Sequence, residues 1–129
     1  DESGGLMWHG PEAIGEILFR VQELIAEFVM ILSSFHEEEP FEAGTYIGLA
    51  RVAEQVPRRV RPFAQLLAKG LTDPDPRIRA HAARIHRLTG ETPDADALAR
   101  VLADETPITI YDHGSGELRE TTVGAHAAG

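Results

Sequence analysis

Arginines near the middle of the chain are the side chains whose spacing best suits a binding site. Arg58, Arg59 and Arg61 form the densest basic cluster of the sequence. The planar guanidinium group of arginine can bind a carboxylate or a phosphate through paired hydrogen bonds. The cluster therefore predicts a docking site for an acidic group of a partner. The alternative is a solvated helix start that pairs with an acidic neighbour within the chain.

A second set of side chains has the spacing of one helix face. Arg77, His81 and Arg84 follow one another at intervals of four and three residues, so an α-helix places them on the same side. Such a face could contribute to an anion site. The alternative is a buried or rim histidine with no binding role.

Sequence signatures of catalysis are absent from the chain. It has no glycine-rich phosphate-binding loop, no His-Glu-x-x-His motif and no cysteine. An enzyme hypothesis could rest only on His113 and Ser115, two residues apart in a predicted turn and without a third group. We expect His36–Glu39 to form a solvated loop, because consecutive residues do not converge on one ion. The prediction is a non-enzymatic protein without a cofactor or a metal.

Charge is segregated along the 129 residues, whose formal net charge is −9. Residues 1–45 hold ten acidic side chains and one basic, residues 46–90 three acidic and nine basic, and residues 91–129 eight acidic and two basic. The negative net charge argues against nonspecific nucleic-acid binding, although a stripe of basic residues could still bind nucleic acid locally. We expect the acidic first helix to face the basic centre and neutralise it.

The elements that position these side chains are predicted to be helices. A long helix begins near Pro11, and its apolar residues recur from Ile14 to Phe35 at alternating spacings of four and three. This wide stripe predicts burial against more than one helix, with dimerisation as the alternative. Glu16 and Arg20 are spaced for an ion pair on the same helix.

The second helix is predicted over Glu42–Gln55, with Tyr46 on its apolar face. Gly44 and Gly48 lie one turn apart in it. Since glycine costs helix stability, its presence favours close packing of a neighbouring helix. A third helix uses the apolar residues between Phe63 and Leu71.

Residues 71–90 hold the clearest local signal. Pro74 and Pro76 interrupt the helix because proline lacks an N–H group. Asp75 is the predicted N-cap of the next helix, Pro76 its first residue and Gly90 its C-cap. The pattern resembles the junction between the two helices of a HEAT repeat. The matching residues are Leu71, Asp73, Asp75, Pro76, Ile78, Arg79, Ala82 and Gly90.

The resemblance is clearest over residues 57–90, and the family favours a leucine where this chain has His86. It implies an all-α fold, a short right-handed α-solenoid of about five helices arranged as HEAT-like (armadillo-type) pairs. A further short helix, capped by Thr92 and beginning at Pro93, would be the first of another pair whose second helix is missing. A β-hairpin over residues 106–123 and a flexible end from Gly124 follow.

These patterns divide the chain into a flexible segment (1–10), a helical-repeat domain (11–105) and a hairpin with a flexible tail (106–129). We predict a cytoplasmic scaffold module that binds a protein partner or another subunit and no membrane. A nucleic-acid- or anion-binding domain is the alternative, and a homodimer could form through the 11–35 helix or the hairpin. The predicted partner-binding residues are Tyr46, Arg51, Arg58, Arg59, Arg61, Arg77, His81 and Arg84.

Overall fold

The computed structural model describes residues 10–20, 42–91 and 94–129, which are mostly helical. The helices are α1 (Gly10–Arg20), α2 (Glu42–Gln55), α3 (Ala64–Gly70), α4 (Pro76–Thr89), α5 (Ala95–Leu102) and α6 (Val123–Ala128). Two short 3₁₀ helices, Pro57–Arg59 and Arg61–Phe63, precede α3, and strands β1 (Pro107–Asp112) and β2 (Glu117–Thr122) separate α5 from α6. The predicted flexible residues 1–9, the continuation of the first helix past Arg20 and the His36–Glu39 loop lie outside the described residues.

Helix α4 begins and ends as the sequence predicts. The Asp75 side chain accepts a hydrogen bond of 2.9 Å from the Arg77 N–H, and Pro76 is the first helical residue. At the other end Gly90 has a φ of 75° and donates its N–H to the His86 carbonyl at 2.9 Å. Asp73 accepts the Asp75 N–H at 2.8 Å. Both aspartates therefore hold the connection between α3 and α4 through backbone hydrogen bonds.

The helices pack around α4. Helix α1 packs on α2, α2 on α4, and α4 on α6, while α3 contacts α4 and α5 contacts both α4 and α6. Ile78, Ala82 and Ile85 of α4 are at most 1% exposed. His86 is only 2% exposed, so it occupies a core position of the kind that a leucine would fill. In the described ranges, no helix combines the length and apolar character needed to cross a membrane.

Glycines allow the backbones of α1 and α2 to come into direct contact. A Cβ atom added to Gly15 would lie 2.5 Å from the Cα of Gly48, and one added to Gly44 would meet the Glu12 carboxylate. The expectation that the two glycines of α2 serve close helix packing is thus confirmed.

The predicted hairpin is confirmed, with β1 and β2 antiparallel and Asp112 opposite Glu117 at the turn. The flexible end predicted from Gly124 is wrong, because Val123–Ala128 forms α6. The Thr122 hydroxyl caps this helix by accepting the Ala125 N–H at 3.2 Å. After the hairpin, α6 packs on α4 and α5, a helix that the sequence did not predict.

The predicted start of α5 also needs correction. Its N-cap is Asp94, whose carboxylate accepts the Ala97 N–H at 2.9 Å. Thr92 and Pro93, which the sequence predicts as cap and first residue, lie outside the described residues.

Gly15→Ala tests the close approach of α1 and α2. We expect it to lower the free energy of unfolding by about 1–3 kcal/mol, since the new methyl group would overlap the Gly48 backbone. Ile17→Ala on the same helix is the control. Ile17 is 53% exposed, so its truncation should cost about 0.5 kcal/mol or less. Urea unfolding of both variants measures the difference, and an equal loss in the two would contradict the packing argument.

Candidate functional site

A cleft of about 420 Å³ opens between the hairpin and the helices α1, α2, α4 and α6. It collects more ionisable groups than a wider, shallower depression of about 840 Å³ between the Asp-Pro connection and the base of the hairpin. Its ionisable and exposed apolar lining residues are Glu12, Glu16, Arg51, Glu54, Arg77, His81, Arg84, Tyr111, His113, Leu118 and His126. Four of the predicted binding residues, Arg51, Arg77, His81 and Arg84, therefore lie together in it.

Arg51 joins α1 to α2 across the cleft. Its Nε donates to Glu16 Oε2 at 2.7 Å and its Nη1 to Glu54 Oε2 at 2.7 Å. The guanidinium also lies 3.5 Å from the centroid of the Phe19 ring. Glu16 accepts a further bond of 3.0 Å from Arg20, which is the pair predicted from their spacing. For Glu16 and Arg51, the expected pairing of the acidic first helix with the basic centre is confirmed.

These contacts change the proton affinity of Glu16. The hydrogen bond from Arg51 lowers the pKa of its carboxyl against the opposing effect of burial, and the bond from Arg20 lowers it further. A carboxyl whose pKa is lower in the folded state stabilises the fold above its ordinary pKa of 4.5. That stabilisation is lost as the pH falls through the lowered value.

The other two arginines of the cleft also have carboxylate partners. Arg84 Nη2 lies 3.3 Å from Glu54 Oε1, and its Nη1 donates to the His126 carbonyl at 3.5 Å. Arg77 donates from Nη2 and Nε to the two oxygens of Asp75 at 2.9 and 3.3 Å. Arg77, His81 and Arg84, predicted as one helix face, thus line the same cleft, and each of the two guanidinium groups is paired with a carboxylate.

Two histidines that line the cleft, His81 of α4 and His126 of α6, contact each other. His81 Nδ1 lies 3.4 Å from His126 Nε2, and the ring centroids are 4.6 Å apart in an edge-to-face arrangement. Burial, then the charges of His126, Arg84 and Arg77, hold the pKa of His81 well below its usual 6.5. Burial and the charges of Arg84 and Arg119 lower the pKa of His126 to about 4. Both rings are therefore neutral at neutral pH.

The remaining predicted binding residues lie away from the cleft. Tyr46 is 3% exposed and donates its hydroxyl to the Leu66 carbonyl at 3.1 Å, and burial raises its pKa to about 12. Arg58 and Arg59 are exposed on the first 3₁₀ helix. Arg61 contacts the Glu91 carboxylate at 3.5 Å and the Thr89 carbonyl at 3.4 Å.

The hairpin tip contributes His113, which the sequence did not connect with the helices. Its Nδ1 lies 3.7 Å from Glu16 Oε2, and its ring contacts that of Tyr111 edge to face at 4.9 Å. Ser115, its partner in the enzyme hypothesis, donates its backbone N–H to Asp112 at 3.3 Å. In the part of the chain that the structure describes, no group of three or more histidine or acidic side chains could hold a metal ion.

Arg51→Gln tests the link across the cleft. Since Arg51 is 13% exposed and hydrogen-bonded to two carboxylates, we expect a loss of about 1–3 kcal/mol in the free energy of unfolding at pH 7. The loss should shrink as the pH falls below 4.5 and Glu16 takes up a proton. Arg20→Gln is the matched control. It contacts the same carboxylate but is 69% exposed, so it should cost about 0.5 kcal/mol or less. Similar losses in the two variants would contradict this interpretation.

Comparison of the chain with protein-family models, curated proteins and solved structures finds no match in any of the three.

Proposed function

We propose that this protein is a non-enzymatic interaction module, built of HEAT-like helix pairs, that binds a short segment of a partner protein in the cleft. The repeat assignment is supported by the Asp-Pro connection and by the succession of α2, α4 and α6, each packed on the one before. In this assignment α3 pairs with α4 and α5 with α6, and the hairpin is inserted within the last pair. Helical-repeat stacks characteristically bind partners along the surface formed by successive helices.

The exposed apolar pair on the hairpin is the observation that carries the proposal. Tyr111 is 53% exposed and Leu118 74% exposed, and they lie directly opposite each other on β1 and β2. Both line the cleft, beside Ile47 of α2 and Ile110 of β1. Tyrosine is enriched among the residues that contribute most to binding energy at protein interfaces, and the neighbouring Leu118 adds apolar area that a partner would bury.

The charged groups of the cleft suit a polar rim around this apolar centre. Glu54 and Arg84 offer an acceptor and a donor in the same cleft as the apolar pair. Because the arginines are already paired with carboxylates, a small free anion would have to compete with those bonds. A polypeptide can instead add hydrogen bonds to the edges of existing pairs while it buries apolar side chains.

A peptide-display selection on the full chain tests this function. We expect enriched peptides to share an apolar anchor residue and to bind the double variant Tyr111→Ser/Leu118→Ser at least about tenfold more weakly, which corresponds to about 1.4 kcal/mol. Fluorescence anisotropy with a selected peptide measures the change. Ile17→Ser is the matched control, since Ile17 is also 53% exposed and does not line the cleft. No enriched sequence, or equal binding by the double variant, would contradict the proposal.

Nucleic-acid binding is the second candidate, and the exposed arginines of the 3₁₀ helices favour it. Arg58 and Arg59 have no ion pair with any of the described residues, in contrast to the arginines of the cleft. Free guanidinium groups are suited to phosphate contacts. The net charge of −9 opposes the approach of a polyanion.

We expect this charge to prevail, so that a labelled duplex or single strand binds no more tightly than about 10⁻⁶ M at about 50 mM salt. Anisotropy titration measures the affinity. Tighter binding that falls steeply with salt and is lost in Arg58→Gln/Arg59→Gln would favour the second candidate over the first.

A further inference from the structure

Helix α6 is held in place by its contacts with the rest of the chain. It has six residues, and a helix of that length is unstable alone in water. Val123 and Ala127 are fully buried, and the Gly124 N–H donates to the Asp104 carbonyl at 2.8 Å. From α4, Arg87 donates to the carbonyls of Ala127, at 3.1 Å, and Ala128. The Arg87 contacts fix the last turn of α6 on α4.

The two imidazoles lie in the middle of this contact. His81 is 7% exposed, and its Nδ1 is 3.4 Å from His126 Nε2. At this distance, when both rings are neutral, the N–H of one imidazole can donate to the bare nitrogen of the other. If both rings are protonated, two donors and two positive charges face each other in a buried interface, and this arrangement is repulsive.

The surrounding charges increase that repulsion. Arg77 and Arg84 of α4 act on His81, and Arg84 with Arg119 of β2 acts on His126. Glu54 of α2 carries an opposing charge that acts on His126, and it also binds Arg51 and Arg84. The carboxylates of α1, Glu12 and Glu16, line the same cleft, where Glu16 is engaged by Arg51. Most of the charges that act on the two imidazoles are therefore positive, although Arg77, Arg84 and Arg119 also have carboxylate partners in Asp75, Glu54 and Asp112.

We propose that the His81–His126 pair is an acid-sensitive latch, which releases α6 from α4 when the two imidazoles take up protons. Since His126 and the hairpin after which α6 begins both line the cleft, release would change the shape of the cleft. The device rests on the histidine pair between α4 and α6 and does not depend on the proposed peptide binding.

The direction of the pH effect follows from the pKa values. Both histidines have a lower pKa when α6 is docked than the usual 6.5, so docking is strongest above pH 6.5 and weakens as the pH falls. Since release takes up two protons, the equilibrium constant for release should rise by up to about a hundredfold for each unit by which the pH falls. Asp104 lies between α5 and β1, and its backbone carbonyl accepts the Gly124 N–H of α6. Hydrogen bonds from Thr106 lower the pKa of its carboxyl from 3.8, so it stays ionised in this range. The Asp104 carboxylate therefore keeps its hydrogen bonds with Arg79 and Thr106 while the histidines titrate.

Spin labels on the full chain provide the test, because the sequence contains no cysteine and accepts single reporter thiols. Ala125→Cys places a label on the exposed side of α6, and Gln65→Cys places a reference label on the exposed side of α3. We expect the Ala125 label to become mobile between about pH 6.5 and about pH 4, with the Gln65 label unchanged. Electron paramagnetic resonance line shapes measure both.

His126→Gln and His113→Gln form a matched pair in the Ala125→Cys background. His126→Gln removes one titrating group, so the equilibrium constant for release should change by at most about tenfold per pH unit, and we call this dependence the slope. The second, on the exposed hairpin tip, should leave the slope unchanged. An Ala125 label that stays immobile to about pH 4, a Gln65 label that becomes mobile with it, or an unchanged slope in His126→Gln would each overturn the latch. In the chain with all its histidines, a release equilibrium constant that changes by less than about tenfold per pH unit would also overturn the latch. That measurement does not depend on whether His126→Gln folds.

Discussion

The small side chains of α4 are the constraint on which the other elements depend. Helices α2, α3, α5 and α6 all pack on it, and Ala80, Ala82 and Ala83 are fully buried in those contacts. A Cβ atom at Gly70 of α3 would lie 2.8 Å from the Ala82 methyl group, so no space remains for larger residues there. Since α4 also carries Arg77, His81 and Arg84, the helix that organises the core fixes the cleft as well.

Internal ion pairing determines which chemistry the cleft can offer. The basic middle third of the chain meets acidic side chains from α1 and α2, and Glu54 alone binds both Arg51 and Arg84. The Arg51–Glu16 pair joins α2 to α1 and the Arg84–Glu54 pair joins α4 to α2, so both contribute to the relative placement of these helices as well as to charge balance. Within the cleft, Tyr111 and Leu118 remain exposed beside these paired charges, and on this basis we propose a polypeptide rather than a free anion as the ligand.

The hairpin and α6 depend on each other and on the helices beneath them. An isolated two-stranded hairpin is marginal in water, as is a six-residue helix. Ile108 and Ile110 bury one side of β1, His113 approaches Glu16 at the tip, and α6 begins directly where β2 ends. The C-terminal part of the cleft therefore consists of two elements of low intrinsic stability. Protonation of one histidine pair can consequently act on it without unfolding α4.

Local interactions let the sequence alone determine the ends of α4, the span of α2, the Glu16–Arg20 pair and the hairpin. Caps, turns and i,i+4 pairs arise within a few residues, and the physical chemistry of those residues is sufficient to predict them. The composition of the cleft was decided only by tertiary structure. Arg51 and Glu16 are 35 positions apart and His81 and His126 are 45 apart, and no local pattern links them. Helix α6 escaped prediction because six residues carry no periodicity and its stability comes from burial against α4. Periodicity places Tyr46 on an apolar face, and only the packing of neighbouring helices decides that its hydroxyl is used inside the protein.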